Sequence, residues 1–194
     1  ATEIWNDFAT KPYYASKEPK AKSGVTGKVV EVILNNEYRG IYSLTEAMDR
    51  KELKLKKYDD KNQEFHGQLW KVSSWDKATF WDIDKDYDNT QETWHAFETK
   101  YPDIDDVNPT DYSPLYEAID FVVNSNDETF KKEVGDYFDI PVLIDYQLFQ
   151  ETLKPVDNNG KNMYWGIYDV AESQKLTLAI WDLDASVGQD WHCS

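Results

Sequence analysis

The sequence predicts an α+β fold, on three observations. β-Branched runs flank short polar turns near the start and again near the end of the chain, proline-started helical patterns fill the middle, and the apolar content suffices for a core. Of the 194 residues, 40% are hydrophobic and 15% aromatic, which excludes wholesale disorder despite 30% charged residues. A chain of this length makes one compact unit or two small lobes sharing a cleft. We expect a single domain over 1–194, with a partial sheet in 28–75 and a helical part carrying a strand pair in 76–194.

Each element follows from local pattern. Ile4, Trp5 and Phe8 fall on one helical face, and Lys11-Pro12 closes it. Residues 12–27 carry Pro12, Pro19, Gly24 and Gly27 among lysines and serines and read as a surface connection. Lys28 to Leu34 and Tyr38 to Leu44 are strands, with Asn35-Asn36-Glu37 turning between them. Lys51 to Lys57 is basic and amphipathic, with too few apolar positions to assign a period. Phe65 to Val72 reads as a third strand, and the acidic stretch from Trp75 to Asp111 as irregular surface with a short helix near Glu92–Lys100. Ser113 caps a helix that Pro114 starts, with Leu115, Ile119, Val122 and Val123 at helical spacing. Thr129 to Tyr137 and Ile140 to Leu153 follow as helices, the second placing Leu143, Ile144, Leu148 and Phe149 inward. Met163 to Tyr168 and Leu176 to Trp181 then read as a strand pair.

The formal net charge of −16 repels phosphate backbones and anionic lipid, so nucleic acid is excluded as a partner, although a local basic patch could still steer one phosphate ligand. Cys193 is the one cysteine, so neither an intrachain disulfide nor a cysteine metal cluster forms. No apolar run approaches the ~20 residues of a membrane span, and Ala1 to Trp5 lacks the pattern of a signal peptide. The sequence opens directly in a helical pattern and ends just after a motif-bearing strand, as a piece of a longer chain would. Nothing in it sets an oligomeric state.

Two acidic motifs flank the last strand pair. Asp157-Asn158-Asn159-Gly160-Lys161-Asn162 follows a helix and enters the first strand, with Asn162 five positions after Asp157. That offset and context are those of a protein kinase's catalytic aspartate and metal-binding asparagine. Trp181-Asp182-Leu183-Asp184 arrives after the strands, where a kinase has its Mg²⁺-holding aspartate. Alternation in an extended segment aims Asp182 and Asp184 the same way, and their mutual repulsion favours a divalent cation between them. Asp157 is then the catalytic residue that orients or deprotonates the incoming hydroxyl, Asn162 and Asp182 hold metal, and Asp184 ligates too or steadies the shell. Alone, an Asp-Asn-Asn-Gly string is an ordinary turn; the order of helix, loop, hairpin and second motif carries the reading.

The run Val30 to Glu46, with Asp49-Arg50, and the run Trp181 to Gly188 resemble the two signatures of the spore coat protein H (CotH) kinase family, over about residues 28–190. The resemblance implies an atypical protein-kinase-like fold, here lacking part of the N-terminal lobe, with 28–75 as its partial sheet. It implies ATP and Mg²⁺ or Mn²⁺ as cofactors, a protein substrate with a serine acceptor, and a bacterial, extracellular or spore-coat setting. It makes the stretch Thr45-Glu46 the hinge for adenine. The asparagine that the family often has two positions before its aspartate is missing at Pro155. A kinase also needs a phosphate-holding lysine and a helix glutamate to support it; Lys11, Lys28 and Lys71 are the nominees for the lysine, and Lys71 is carried forward with Glu46 as cofactor-binding.

Other signals weigh less. Asp82 to Asn89 alternates carboxylates like a calcium loop, but Tyr87 stands where the turn needs glycine. His66, His95 and His192 have no paired spacing for zinc. Eight tryptophans and thirteen tyrosines beside carboxylates also suit a carbohydrate-binding or glycan-processing protein, the rival reading. A catalytically dead, pseudokinase-like scaffold is the third.

Overall fold

The computed structural model describes residues 1–75, 80–107 and 109–188. The chain forms an α+β fold in which two antiparallel sheets are joined to five helices in the order α1 (Thr2–Phe8), β1 (Gly27–Leu34), β2 (Glu37–Thr45), α2 (Arg50–Leu53), β3 (Gln68–Val72), β4 (Thr93–Trp94), β5 (Phe97–Tyr101), α3 (Ser113–Asn124), α4 (Asp127–Tyr137), α5 (Ile140–Leu153), β6 (Met163–Asp169) and β7 (Ser173–Ile180). The strands β1 and β2 pair with each other alone; the second sheet has the order β4-β5-β3-β6-β7. His192 and Cys193, and part of the acidic stretch after Trp75, lie outside the described residues.

The β1–β2 turn is the expected one. Leu34 pairs with Glu37, leaving Asn35 and Asn36 as a two-residue loop, with φ of 52° and 63°. Asparagine tolerates this left-handed backbone, and the resulting twist matches the flanking strands. Both faces of the hairpin are bare, with Val29, Ile33, Ile41 and Leu44 all exposed.

The second sheet carries the core. Along β3, Trp70 and Val72 join Trp165, Ile167, Leu176, Leu178 and Ile180 in a cluster with α3, α4 and α5. Leu69, Tyr164, Tyr168 and Ala179 turn to the other face and pack with Tyr14, Val25, Leu53 and Leu55. Alternation along the strands thus separates two apolar layers. Fully buried β6, between β3 and β7, is the strand common to both.

Four expectations need correction. Glu92–Lys100 is a strand pair, not a helix: His95 and Ala96 turn at φ of 51° and 65°, and Trp94 and Phe97 bury aromatic surface that suits a pleated sheet. On α5, Ile144 and Leu148 are each 56% exposed, while Val142, Phe149 and Gln150 are buried, so the inward face lies about one residue round the helix from the stripe expected. Ile4 and Phe8 of α1 are also about half exposed; Trp5 is the buried residue of that helix, and Asn6 Nδ2 donates to Val25 O at 3.1 Å. Ser113 stands inside α3 rather than capping it; the Asp111 carboxylate accepts from its N–H at 2.9 Å.

Buried Asp139 ties three regions together. Its Oδ2 accepts from Tyr13 N at 2.8 Å and from Thr177 Oγ1 at 3.0 Å, at the start of α5. Burial raises its carboxyl above the usual range, opposed by these hydrogen bonds. A raised folded-state pKa means the folded chain binds the extra proton, so stability falls as pH rises through that range. Asp139→Ala should cost about 2–3 kcal/mol in urea unfolding at pH 7, because two buried donors lose their acceptor. Asp139→Asn, which keeps an acceptor, should cost about 1 kcal/mol or less and flatten the pH dependence.

Candidate functional site

Strand register gathers the site. Lys71 pairs with Tyr164, and Met163 and Tyr164 pair with Ile180 and Ala179. All pairings are antiparallel, so the end of β3, the loop entering β6 and the segment leaving β7 share one end of the sheet. Trp70, Trp165 and Leu178 form one cross-strand row on the helix side, which places Lys71 on the opposite face beside Tyr164.

The loop before β6 begins where α5 stops. Lys154 adopts a left-handed backbone at φ 45° and Pro155 follows, a combination that ends a helix sharply. The segment after β7 folds back on this loop, with Val156 N bonded to Ala185 O at 3.0 Å and Val187 N to Leu153 O at 2.8 Å. Trp181 N reaches Asn162 O at 3.2 Å as the last rung between the two motifs.

Within this frame Asp157 is buried at 6% exposure. Its Oδ1 accepts from Trp75 Nε1 at 3.0 Å, and its Oδ2 accepts from Asn162 Nδ2 at 2.8 Å and pairs with Lys161 Nζ at 2.9 Å. Asn158 is wholly buried, and its Nδ2 donates to Asn162 O at 2.9 Å and to Trp181 O at 2.7 Å. Gln150 Nε2 and the Tyr146 hydroxyl both donate to Asn158 O, linking the loop to α5.

Asp182 is exposed as a residue, yet protein partly surrounds its carboxyl. Burial pushes that carboxyl above the usual carboxylate range; Asp184 and then Asp157 add to the rise, while Lys71 and Lys161 oppose it. Five charged side chains from three chain segments therefore act on one another at the end of the sheet. Asn162 and Asp182 both sit at positive φ, 57° and 53°, a backbone that Asn and Asp reach more easily than other residues bearing a Cβ.

Of the residues expected from sequence, Asp157 and Asn162 touch, and Asp182, Asp184 and Lys71 share their electrostatic neighbourhood. Glu46 has other partners. Its carboxylate accepts from Thr26 N at 2.8 Å and Thr26 Oγ1 at 2.5 Å, which lower its pKa, and Lys22 Nζ lies 3.6 Å away. Beside it is a cavity of about 210 Å³ lined by Trp5, Lys11, Lys22, Ser23 and Thr26 among others. Ser23 O receives Ile180 N at 2.9 Å, so the cavity wall is stitched to the end of β7. Of the other nominated lysines, Lys11 bonds Pro19 O at 2.8 Å and Lys28 is exposed on β1.

Sequence reasoning missed Lys161, Trp75 and Asn158. Lys161 was visible as the i+4 partner of Asp157 in a tight turn; Trp75 reaches its partner only through sheet register, which no local pattern encodes. The discounted groups have local partners: His66 Nδ1 lies 2.8 Å from Asp169 Oδ1, buried His95 lies 3.0 Å from Asp84 Oδ2, and Asp88 accepts from Thr90. Trp5, Trp70, Trp94 and Trp165 are buried in the core, which absorbs half of the eight tryptophans. Among the described residues, no group of three or more His, Cys, Asp or Glu side chains is placed to hold a metal ion by itself. No helix among them is long and apolar enough to cross a membrane.

Fold and site together define an α+β protein whose polar end is an Asp–Asn loop entering a β-hairpin and a carboxylate pair leaving it. The chain belongs to the CotH kinase protein family, whose model matches residues 1–194. A search of curated proteins found no match.

The raised Asp182 carboxyl predicts that its charge costs stability. With divalent ions chelated, Asp182→Asn should melt at a higher temperature than the wild type at pH 7, by calorimetry, because the variant carries no charge there. The difference should vanish near pH 3, where the wild-type carboxyl is protonated. A variant less stable than the wild type at pH 7 would show that Lys71 and Lys161 outweigh the repulsion.

Proposed function

We propose that the chain is the nucleotide- and metal-binding part of an atypical protein kinase, transferring the γ-phosphoryl group of ATP to a serine hydroxyl of a protein substrate. The observation that carries this reading is the convergence of Asp157, Asn162, Asp182, Asp184 and Lys71 at one end of the sheet, supported by membership of the CotH kinase family.

The donor set fits a magnesium or manganese ion. Mg²⁺ is commonly held by one or two carboxylates with phosphate and water oxygens, so no all-protein cage is required. The Asp182 carboxyl, destabilised by burial and by Asp184, is a group whose charge a cation would relieve. Asp182 and the amide oxygen of Asn162 are the proposed ligands, with Asp184 as ligand or support. The bound ion would neutralise the phosphate charge as the terminal group transfers.

The chain's own residues supply the remaining chemistry. Asp157, buried and oriented by Trp75 and Asn162, accepts the serine proton as the serine oxygen bonds to the γ-phosphorus. The bond from that phosphorus to the β-phosphate oxygen breaks, and ADP leaves with its electron pair. Lys161 holds Asp157 in place, and Lys71 faces the phosphates from β3. The β1–β2 hairpin with Thr45-Glu46 forms the adenine side, residues 28–75 being the partial N-terminal lobe and 76–194 the catalytic part. The family points to an extracellular or spore-coat location, which suits a chain whose charge disfavours nucleic acid.

Wild-type protein should gain thermal stability with ATP and Mn²⁺ together and phosphorylate serine in a protein acceptor. Asp157→Asn should keep the thermal shift and lose about 10²–10⁴-fold in turnover, the usual contribution of a general base. Asp182→Asn should lose both. Absence of any ATP–Mn²⁺ shift in the wild type, or full activity in Asp157→Asn, sinks the reading.

A further inference from the structure

We infer that Asn158 is the positioning residue that fixes Asn162 against Asp182, through one buried amide nitrogen bonded to the backbone on both sides of the hairpin. The inference rests on the reading of Asn162 and Asp182 as metal ligands.

The β6–β7 ladder ends at Met163 and Ile180, and the proposed ligands lie just outside it, both with left-handed backbones. Beyond the ladder, the Trp181 N–H to Asn162 O bond of 3.2 Å is a long final rung. Asn158 adds the cross-tie at this point. Its two amide hydrogens are divided between Asn162 O, which belongs to one ligand residue, and Trp181 O, whose peptide bond leads into the other. Moving either carbonyl by an ångström would break a bond.

The staple is itself anchored. Asn158 N bonds Pro155 O at 3.0 Å, and Asn158 O accepts from Gln150 Nε2 at 2.8 Å and from the Tyr146 hydroxyl. Position is thus passed from α5, through Asn158, to both motifs. The side chain is placed for its nitrogen: Asn158 Oδ1 is buried with no hydrogen-bond partner among the described residues. Packing alone would be better served by an apolar side chain of that size. Aspartate lacks the two donors and would set an oxygen against two carbonyls; serine has one shorter donor and glutamine is a methylene too long.

Groups that orient metal ligands commonly set metal affinity by 10- to 100-fold. Mn²⁺ is titrated into protein saturated with ADP, and the free ion is followed by its electron paramagnetic resonance signal; ADP binding without metal is measured separately. In Asn158→Ala, Mn²⁺ affinity should fall about 10–100-fold, while metal-free ADP affinity stays within about twofold. Asn158→Ser, which keeps one donor, should fall between Asn158→Ala and the wild type. It also carries the measurement if the alanine variant does not fold. Mn²⁺ affinity unchanged in a folded variant overturns the inference and leaves the proposed function standing. Parallel loss of metal and ADP binding, or failure of both variants to fold, makes Asn158 a structural residue and overturns it as well. A wild type that takes up no Mn²⁺ removes the parent reading, and this one with it.

Discussion

Register between β3, β6 and β7 is the constraint on which the rest of the structure depends. A strand alternates its side chains, so a slip of one residue between β3 and β6 would carry Lys71 to the helix side and drive Trp70 out of its core. The cross-strand row of Trp70, Trp165 and Leu178 forbids that slip, since each is buried in the cluster shared with α3, α4 and α5. Fully burying one large apolar side chain stabilises by about 1.5–3 kcal/mol. Several such side chains therefore hold a register that a few polar contacts at the sheet's end could not. The polar end inherits its geometry from the apolar face.

That inheritance explains how so many like charges share a small space. Asp157, Asp182 and Asp184 face Lys71 and Lys161, and three carboxylates against two ammonium groups leave a net charge of −1. Lys161 lies within ion-pair distance of Asp157, whereas at Asp182 burial, with Asp184 and Asp157, outweighs Lys71 and Lys161 and disfavours the charge. The site thus divides into a neutralised half, built on the Asp157 loop, and an unneutralised half, built on the strand exit. Under the proposed function that asymmetry suits the two roles: a proton acceptor is held in place, and a cation ligand is left wanting positive charge.

How much of this was legible in the sequence depends on the range of the interaction. The Asn35-Asn36 turn, the helix stop at Lys154-Pro155 and the five-residue offset between Asp157 and Asn162 are local, and local residue chemistry gave them. The Glu92–Lys100 segment was misread because its turn is made by His95 and Ala96, without the glycine or asparagine that marks a hairpin. The face of α5 was misjudged because apolar Ile144 and Leu148 are left largely exposed while polar Gln150 is buried to hold Asn158. The hydrogen bond from Trp75 to Asp157 and the electrostatic influence of Lys71 on Asp182 join residues far apart in the chain, and only the sheet register sets them.

The two sheets stand in different relation to this site. The five-stranded sheet carries Asp157, Asn162 and Asp182 on a packed core, whereas β1 and β2 pair only with each other and leave apolar side chains bare on both faces. The hairpin is tied at its base, where Glu46 binds Thr26 and, three residues earlier, Ser23 O receives the N–H of Ile180. A two-stranded ribbon held at one end is a weak platform for positioning chemistry. Under the proposed function, proton transfer and metal binding would fall to the sheet with a core, and the hairpin would meet the nucleotide's far end, where a small displacement costs affinity rather than the alignment of reacting atoms.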